Sequence, residues 1–115
     1  MTPISLDGLD FHMISSTSSV VDAEAPTRFH YRQEGNLVWG RYTGDTVTQG
    51  RFVGEATAGR ISISFAHASV TDGSVVRGGA DSVVERREDG RIYLVEAYEI
   101  DGVPHSSVCV ESPPD

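Results

Sequence analysis

The chain has 115 residues, with 17 acidic against 9 basic side chains, a net charge of -8 and one cysteine. That length indicates a single domain able to bury roughly 65% of its unfolded surface without covalent staples. Every basic residue is Arg and no basic run could neutralise a phosphate backbone, which argues against nucleic acid and anionic membrane as partners.

The opening Met1-Thr2-Pro3-Ile4-Ser5-Leu6-Asp7 has neither a basic region nor an apolar core, so no signal peptide or anchor is expected there. Cys109, being alone, excludes an internal disulfide and fits a reducing, cytoplasmic setting. Strands are predicted at residues 9 to 15, 27 to 33, 36 to 43, 47 to 54, 59 to 69, 74 to 86, 90 to 100 and 104 to 111. The first two are joined by residues 16 to 26, the longest connection, whose helix-like piece Val20-Val21-Asp22-Ala23-Glu24-Ala25 is closed by Pro26. Short turns rich in Gly, Asn and Asp separate the others, among them Glu34-Gly35-Asn36, Ala58-Gly59 and Asp89-Gly90. Alternation is clearest in Arg60-Ile61-Ser62-Ile63-Ser64-Phe65-Ala66-His67, where Ile61, Ile63, Phe65 and His67 share one face. Gly78-Gly79 interrupts its strand and reads as a bend or bulge. The tail over 112 to 115 is polar and proline-rich and is expected to fray.

Eight strands in a meander expose two edges unless they close. Closure at this strand number gives an antiparallel up-and-down β-barrel with little helix, and an interior just wide enough for side chains or one small ligand. The rival architecture is an open sheet or two-layer sandwich whose concave face is covered by a second copy.

The block Phe29-His30-Tyr31-Arg32-Gln33-Glu34-Gly35-Asn36-Leu37-Val38-Trp39-Gly40-Arg41-Tyr42-Thr43-Gly44, with Gly50, Gly54 and Asp89-Gly90-Arg91-Ile92-Tyr93-Leu94-Val95-Glu96, resembles a group of short bacterial proteins. The resemblance runs over about residues 27 to 111, with His67, Ser82, Glu96 and Ser107 among the matching positions. It implies a lipocalin or calycin-like barrel over 1–115, in which the long 16–26 loop would serve as a lid. Members often carry the label N-acetylglutamate synthase, but this chain has no long helix to present to an acetyl-CoA pyrophosphate, and that label is set aside. The group tends to have a second tryptophan where this chain has Tyr98. A weaker likeness of Tyr42-Thr43-Gly44 and Gly50-Arg51-Phe52-Val53-Gly54 to membrane-occupation repeats extends to one unit at most.

Assigning the more apolar parity to the interior places Phe29, Tyr31, Val38, Tyr42, Phe52, Phe65, His67, Ala80, Ser82, Leu94, Glu96, Tyr98, Val108 and Val110 inside, with Cys109 outside and inert. In the strand over 36 to 43, Leu37 and Trp39 compete with Val38 and Tyr42 for that face. Strand reversal brings Tyr42, Thr48, His67, Tyr98 and His105 to one mouth. Two strand spacings, on the order of 10 Å, separate the backbones of His67 and Glu96. A carboxylate and an imidazole so placed suit acid/base work, giving Glu96 and His67 as candidate catalytic residues; the structural alternative is a buried charge and a satisfied polar residue. Candidate ligand contacts are Tyr31, Trp39, Tyr42, Phe65, Ser82, Tyr98 and His105. The four His lack the short spacings that preorganise a metal site, and no metal or other cofactor is expected.

The expected function is therefore binding of a small hydrophobic or mixed-polarity molecule. The alternatives are an isomerase or cyclase of a small metabolite on the same barrel, and a structural module with a filled core that forms a homodimer around Trp39.

Overall fold

A computed structural model describes residues 4–17, 24–44, 47–100 and 102–112. Among these residues there is no helix. The strands are β1 (Asp10–Ser16), β2 (Arg28–Glu34), β3 (Leu37–Gly44), β4 (Val47–Thr57), β5 (Arg60–Ser69), β6 (Val75–Arg86), β7 (Ile92–Ile100) and β8 (Val103–Glu111). Their ends lie within three residues of those the alternation predicts. Each strand pairs antiparallel with the next, and β1 pairs with β8, so the sheet closes and the open-sheet alternative falls. The connection from β4 to β5 shows why the turns are so short. Ala58 and Gly59 both take positive φ, 51° and 78°, the left-handed pair that matches the twist of a two-residue hairpin. Most of the expected lid and tail lies outside the described residues.

One end of the barrel is packed shut. Leu6 is 1% exposed, held by donation of its backbone N–H to Gln33 Oε1 at 3.0 Å. The chain before β1 also bonds along β2, with Gly8 N–H donating to the Tyr31 carbonyl and Tyr31 N–H to the Leu9 carbonyl. Above Leu6 lie Phe11, Tyr31, Val38, Ile61 and Leu94, each buried. Phe11 meets Tyr31 edge-on at 5.4 Å, and Tyr31 meets Phe52 at 4.6 Å. Burying a side chain of this size contributes about 1.5–3 kcal/mol, so this half carries much of the fold's stability.

Glycines let these rings fit a barrel this narrow. Tyr42 pairs across the sheet with Gly50, Phe52 with Gly40 and Phe65 with Gly78. In each pair the ring lies over the glycine, where a Cβ would collide with it. At Gly50 that Cβ would sit 2.5–2.6 Å from three carbons of the Tyr42 ring. An inward aromatic thus covers the backbone of its neighbour, the sheet analogue of a knob in a hole. Gly78 therefore serves as a seat for Phe65 and not as the expected bend, since the pairing of β6 runs without a register shift on either side.

The bulges lie elsewhere: between Met13 and Ser15, between Tyr42 and Gly44, and between Val47 and Gln49. The first advances the inward parity of β1 by one, so Ser16 follows Met13 into the interior.

The parity assigned to β8 is overturned. Ser107 and Cys109 face inward, the latter 1% exposed, and Val108 lies on the outer face. Both parities of this strand are mildly apolar, so the pattern alone favoured the valines, and a one-residue error inverts every side chain.

Gly54→Ala should cost roughly 3 kcal/mol, because its Cβ would strike the Ser62 carbonyl and the Ile63 backbone, which cannot rotate away. Gly79→Ala on the outer face should cost about 1 kcal/mol or less. Urea midpoints of the two variants check the contrast; equal losses would mean that close packing over the glycines is not what they provide.

Candidate ligand-binding site

Toward the opposite end, side chains of the same inward parity are only half-buried: Met13, Phe29, Phe65, His67, Tyr98 and His105. These half-buried residues surround the end of the barrel opposite Leu6, the candidate recess. Its two sides differ in chemistry.

On β2, β3 and β5 the lining is aromatic. Phe29 stacks on Tyr42 with centroids 5.1 Å apart and planes 23° apart. Phe65 stacks on His67 at 5.8 Å with planes 5° apart. Tyr42, Gly50 and His67 are successive register partners across β3, β4 and β5. The Tyr42 ring crosses the gap left by Gly50, and its hydroxyl shares a 2.7 Å hydrogen bond with His67 Nδ1. Burial holds His67 below its ordinary pKa and pushes Tyr42 up, the nearby Glu96 charge adding to the second effect. At neutral pH both are uncharged.

On β6, β7, β8 and β1 the lining is polar. Ser82, Glu96, Ser107 and Ser16 are register partners in one row across these four strands. Ser82, Glu96 and Ser107 are buried. One inward step toward the mouth come Ala80, Tyr98 and His105, also in register. Tyr98 stacks on His105 at 5.8 Å, and its hydroxyl lies 3.2 Å from Ser16 Oγ. His105 Nδ1 shares a 3.0 Å hydrogen bond with Thr17 Oγ1.

Glu96 forms the centre of the polar floor. Burial raises its pKa, opposed by Cys109 Sγ and Ser107 Oγ, which both donate to Oε1 at 3.2 and 3.1 Å. Burial also pushes the Cys109 thiol well up, so it acts as a donor and not as a nucleophile.

Of the residues singled out in the sequence, Tyr42, Phe65, His67, Tyr98 and His105 gather at the recess, with Ser82 and Glu96 in its floor. Thr48 lies at the same end but is exposed, its hydroxyl donating to the Ala68 carbonyl. Tyr31 is 1% exposed and lies in the packed half. Trp39 is not a lining residue. Val38 and Tyr42 take the interior of β3, which leaves Trp39 half-buried on the outer face between Arg32 and Val53. No hydrogen bond or ion pair joins His67 to Glu96 among the described residues; each is bonded to other groups. Pattern reading missed Ser16, Ser107 and Cys109. Ser107 was reachable, since the resemblance marked it on the parity opposite to Val108.

A second recess, of about 200 Å³, lies at the closed end between Ile4, Leu6, Gln33, Arg60 and Val84. Its Gln33 side chain is taken up by the Leu6 N–H and the Gly35 carbonyl, so it structures the turn. Among the described residues, no three His, Cys, Asp or Glu side chains converge as metal ligands do.

A family model described as avidin-like protein matches residues 4–112, nearly the whole chain. This chain belongs to the avidin-like family. No curated protein and no solved structure matches it in the comparisons. Avidin-like barrels are ligand-binding, so small-molecule binding in general is the functional class.

The folded barrel retains the Glu96 proton above pH 4.5, where an unperturbed carboxyl releases it. The folded state then binds more protons than the unfolded one, so this group's contribution to stability declines as pH rises from about 4.5 through the raised pKa. Glu96→Gln should remove that decline. Unfolding free energies of both proteins between pH 4.5 and 8 check it: the variant should gain relative to wild type as pH rises, and parallel curves would place the carboxyl in a solvated setting.

Proposed function

We propose that this protein binds a small molecule with a flat ring in the recess, the ring held between the Phe65 and His67 stack on one side and the Tyr98 and His105 stack on the other. The observation that carries the reading is the set of inward residues left half-buried above a packed lower half. Where six inward side chains remain wettable, displacing their water with a ring gains apolar burial at small conformational cost, because the rings are already stacked. Ala80, small and at the level of Tyr98 and His105, helps keep the space between the stacks clear. His67, Tyr98, His105 and Ser16 place donors and acceptors around the rim, enough to orient a polar substituent.

The geometry supports holding a ligand better than turning it over. An acid/base reaction through Glu96 and His67 would need both at one reacting atom, whereas among the described residues no hydrogen bond joins them and each is bonded to other groups. The outward patch around Trp39, with Leu37 and Val53 exposed beside it, offers a contact for a second copy and takes no part in this reading.

Native mass spectrometry of protein purified from its own host should show a retained small molecule that dissociates on unfolding and rebinds afterwards. Affinity for the retained compound should drop about fivefold or more in Tyr98→Phe, the loss of one hydrogen bond, while Trp39→Phe should leave it unchanged. Binding that followed Trp39 and ignored Tyr98 would move the site to the outer face.

A further inference from the structure

The recess has a charge character that its aromatic lining does not reveal. All nine arginines lie on the outer parity, in turns or at strand ends, and the chain has no lysine. Its four histidines include two at the recess, of which His67 is uncharged at neutral pH. The interior therefore presents no fixed positive charge to a ligand. Among the described residues it contains one carboxyl, that of Glu96, buried in the floor with no Arg or His ion pair.

Three features converge on the same ligand charge. First, Ser107 and Cys109 both donate to Oε1, supplying part of the solvation that an ionised carboxylate needs away from water, and neither is donated to Oε2. Second, Phe29, Tyr42, Phe65 and Tyr98 bring four aromatic rings to the same end of the barrel, and ring faces favour a cation within about 6 Å of a centroid. Third, the net charge of -8 raises the local concentration of cations around the whole barrel. An anionic ligand would meet a carboxyl and aromatic faces with no arginine or lysine to answer its charge.

We infer that the ligand of this recess is an organic cation, an amine or protonated nitrogen base joined to a flat ring, whose charged nitrogen is directed to Glu96 and whose ring lies between the two aromatic stacks. The inference rests on the recess being the ligand site and adds the charge and chemical class of what it takes. The amine supplies the partner that burial denies the carboxyl, and its charge favours loss of the Glu96 proton to water, leaving an anion to which Ser107 and Cys109 already donate. A buried ion pair is favourable only when its remaining polar atoms are satisfied, and the Ser107 and Cys109 hydrogen bonds meet that condition on the protein side. Ser82, the register partner of Glu96, adds a hydroxyl beside it for the ammonium's other protons.

The test uses the full chain and three probes of nearly equal size and different charge: 2-phenylethylamine, 2-phenylethanol and phenylacetate. Calorimetric titration at pH 7.5 should rank amine over alcohol over carboxylate, with the amine at least about tenfold tighter than the alcohol, as a desolvated cation between rings and a carboxylate would give. Glu96→Gln should narrow the amine-to-alcohol ratio to about threefold or less, provided the variant melts cooperatively. Should that variant not fold, the ranking in the wild-type protein decides alone. If the alcohol or the carboxylate binds as tightly as the amine, the cation assignment is wrong while ligand binding at the recess stands. If no probe of any charge binds and no molecule is retained in the native protein, both fall.

Discussion

The pairing of β1 with β8 is the contact on which the rest depends. It joins the two ends of a meander, so that no strand keeps an unpaired edge and every inward side chain has neighbours on both sides. Closure at eight strands also fixes the bore. The sequence fits its rings within that bore by seating aromatics over glycines. The bulge at Met13 belongs to the same constraint, since it carries Ser16 into the interior beside Ser107, where the seam is made.

From that closure follows a division of the interior. The lower half, stoppered by Leu6, is packed with rings and aliphatic side chains. The upper half is split lengthwise, aromatic on β2 to β5 and hydroxyl- and carboxyl-bearing on β6 to β1. Six inward side chains of that half stay half-buried, whereas the lower half buries its own.

Much of this was legible in the chain. Period-two alternation located every strand, and the density of turn residues located every hairpin. Their up-and-down order placed Tyr42, His67, Tyr98 and His105 at one mouth. What failed was parity in β8 and the choice of Trp39 as a ligand contact, although Val38 and Tyr42 were rightly placed inside β3. Where a strand's two faces are similarly apolar, as in Val103 to Glu111, alternation gives no preference, and only the partner strand decides: Glu96 on β7 requires donors opposite it, and Ser107 is its register partner. Trp39 misled for a different reason, since its size suggests burial, yet Tyr42 needs the glycine on its own face and Trp39 has none. The link from Tyr42 over Gly50 to His67 could not be read without the register, because it joins residues two strands apart.

The seating of rings over glycines also bears on how such a barrel can diverge. Each ring and its glycine make one volume shared by two positions, so changing either alone leaves a collision or a void, and the two changes together are expected to be strongly non-additive. Drift at these sites is therefore forced into compensated doubles, a larger residue appearing on one strand as a smaller one appears on its neighbour. Among relatives, the bore could be reshaped around a new ligand while every strand kept its place, with paired exchanges across the sheet as the trace left in their sequences.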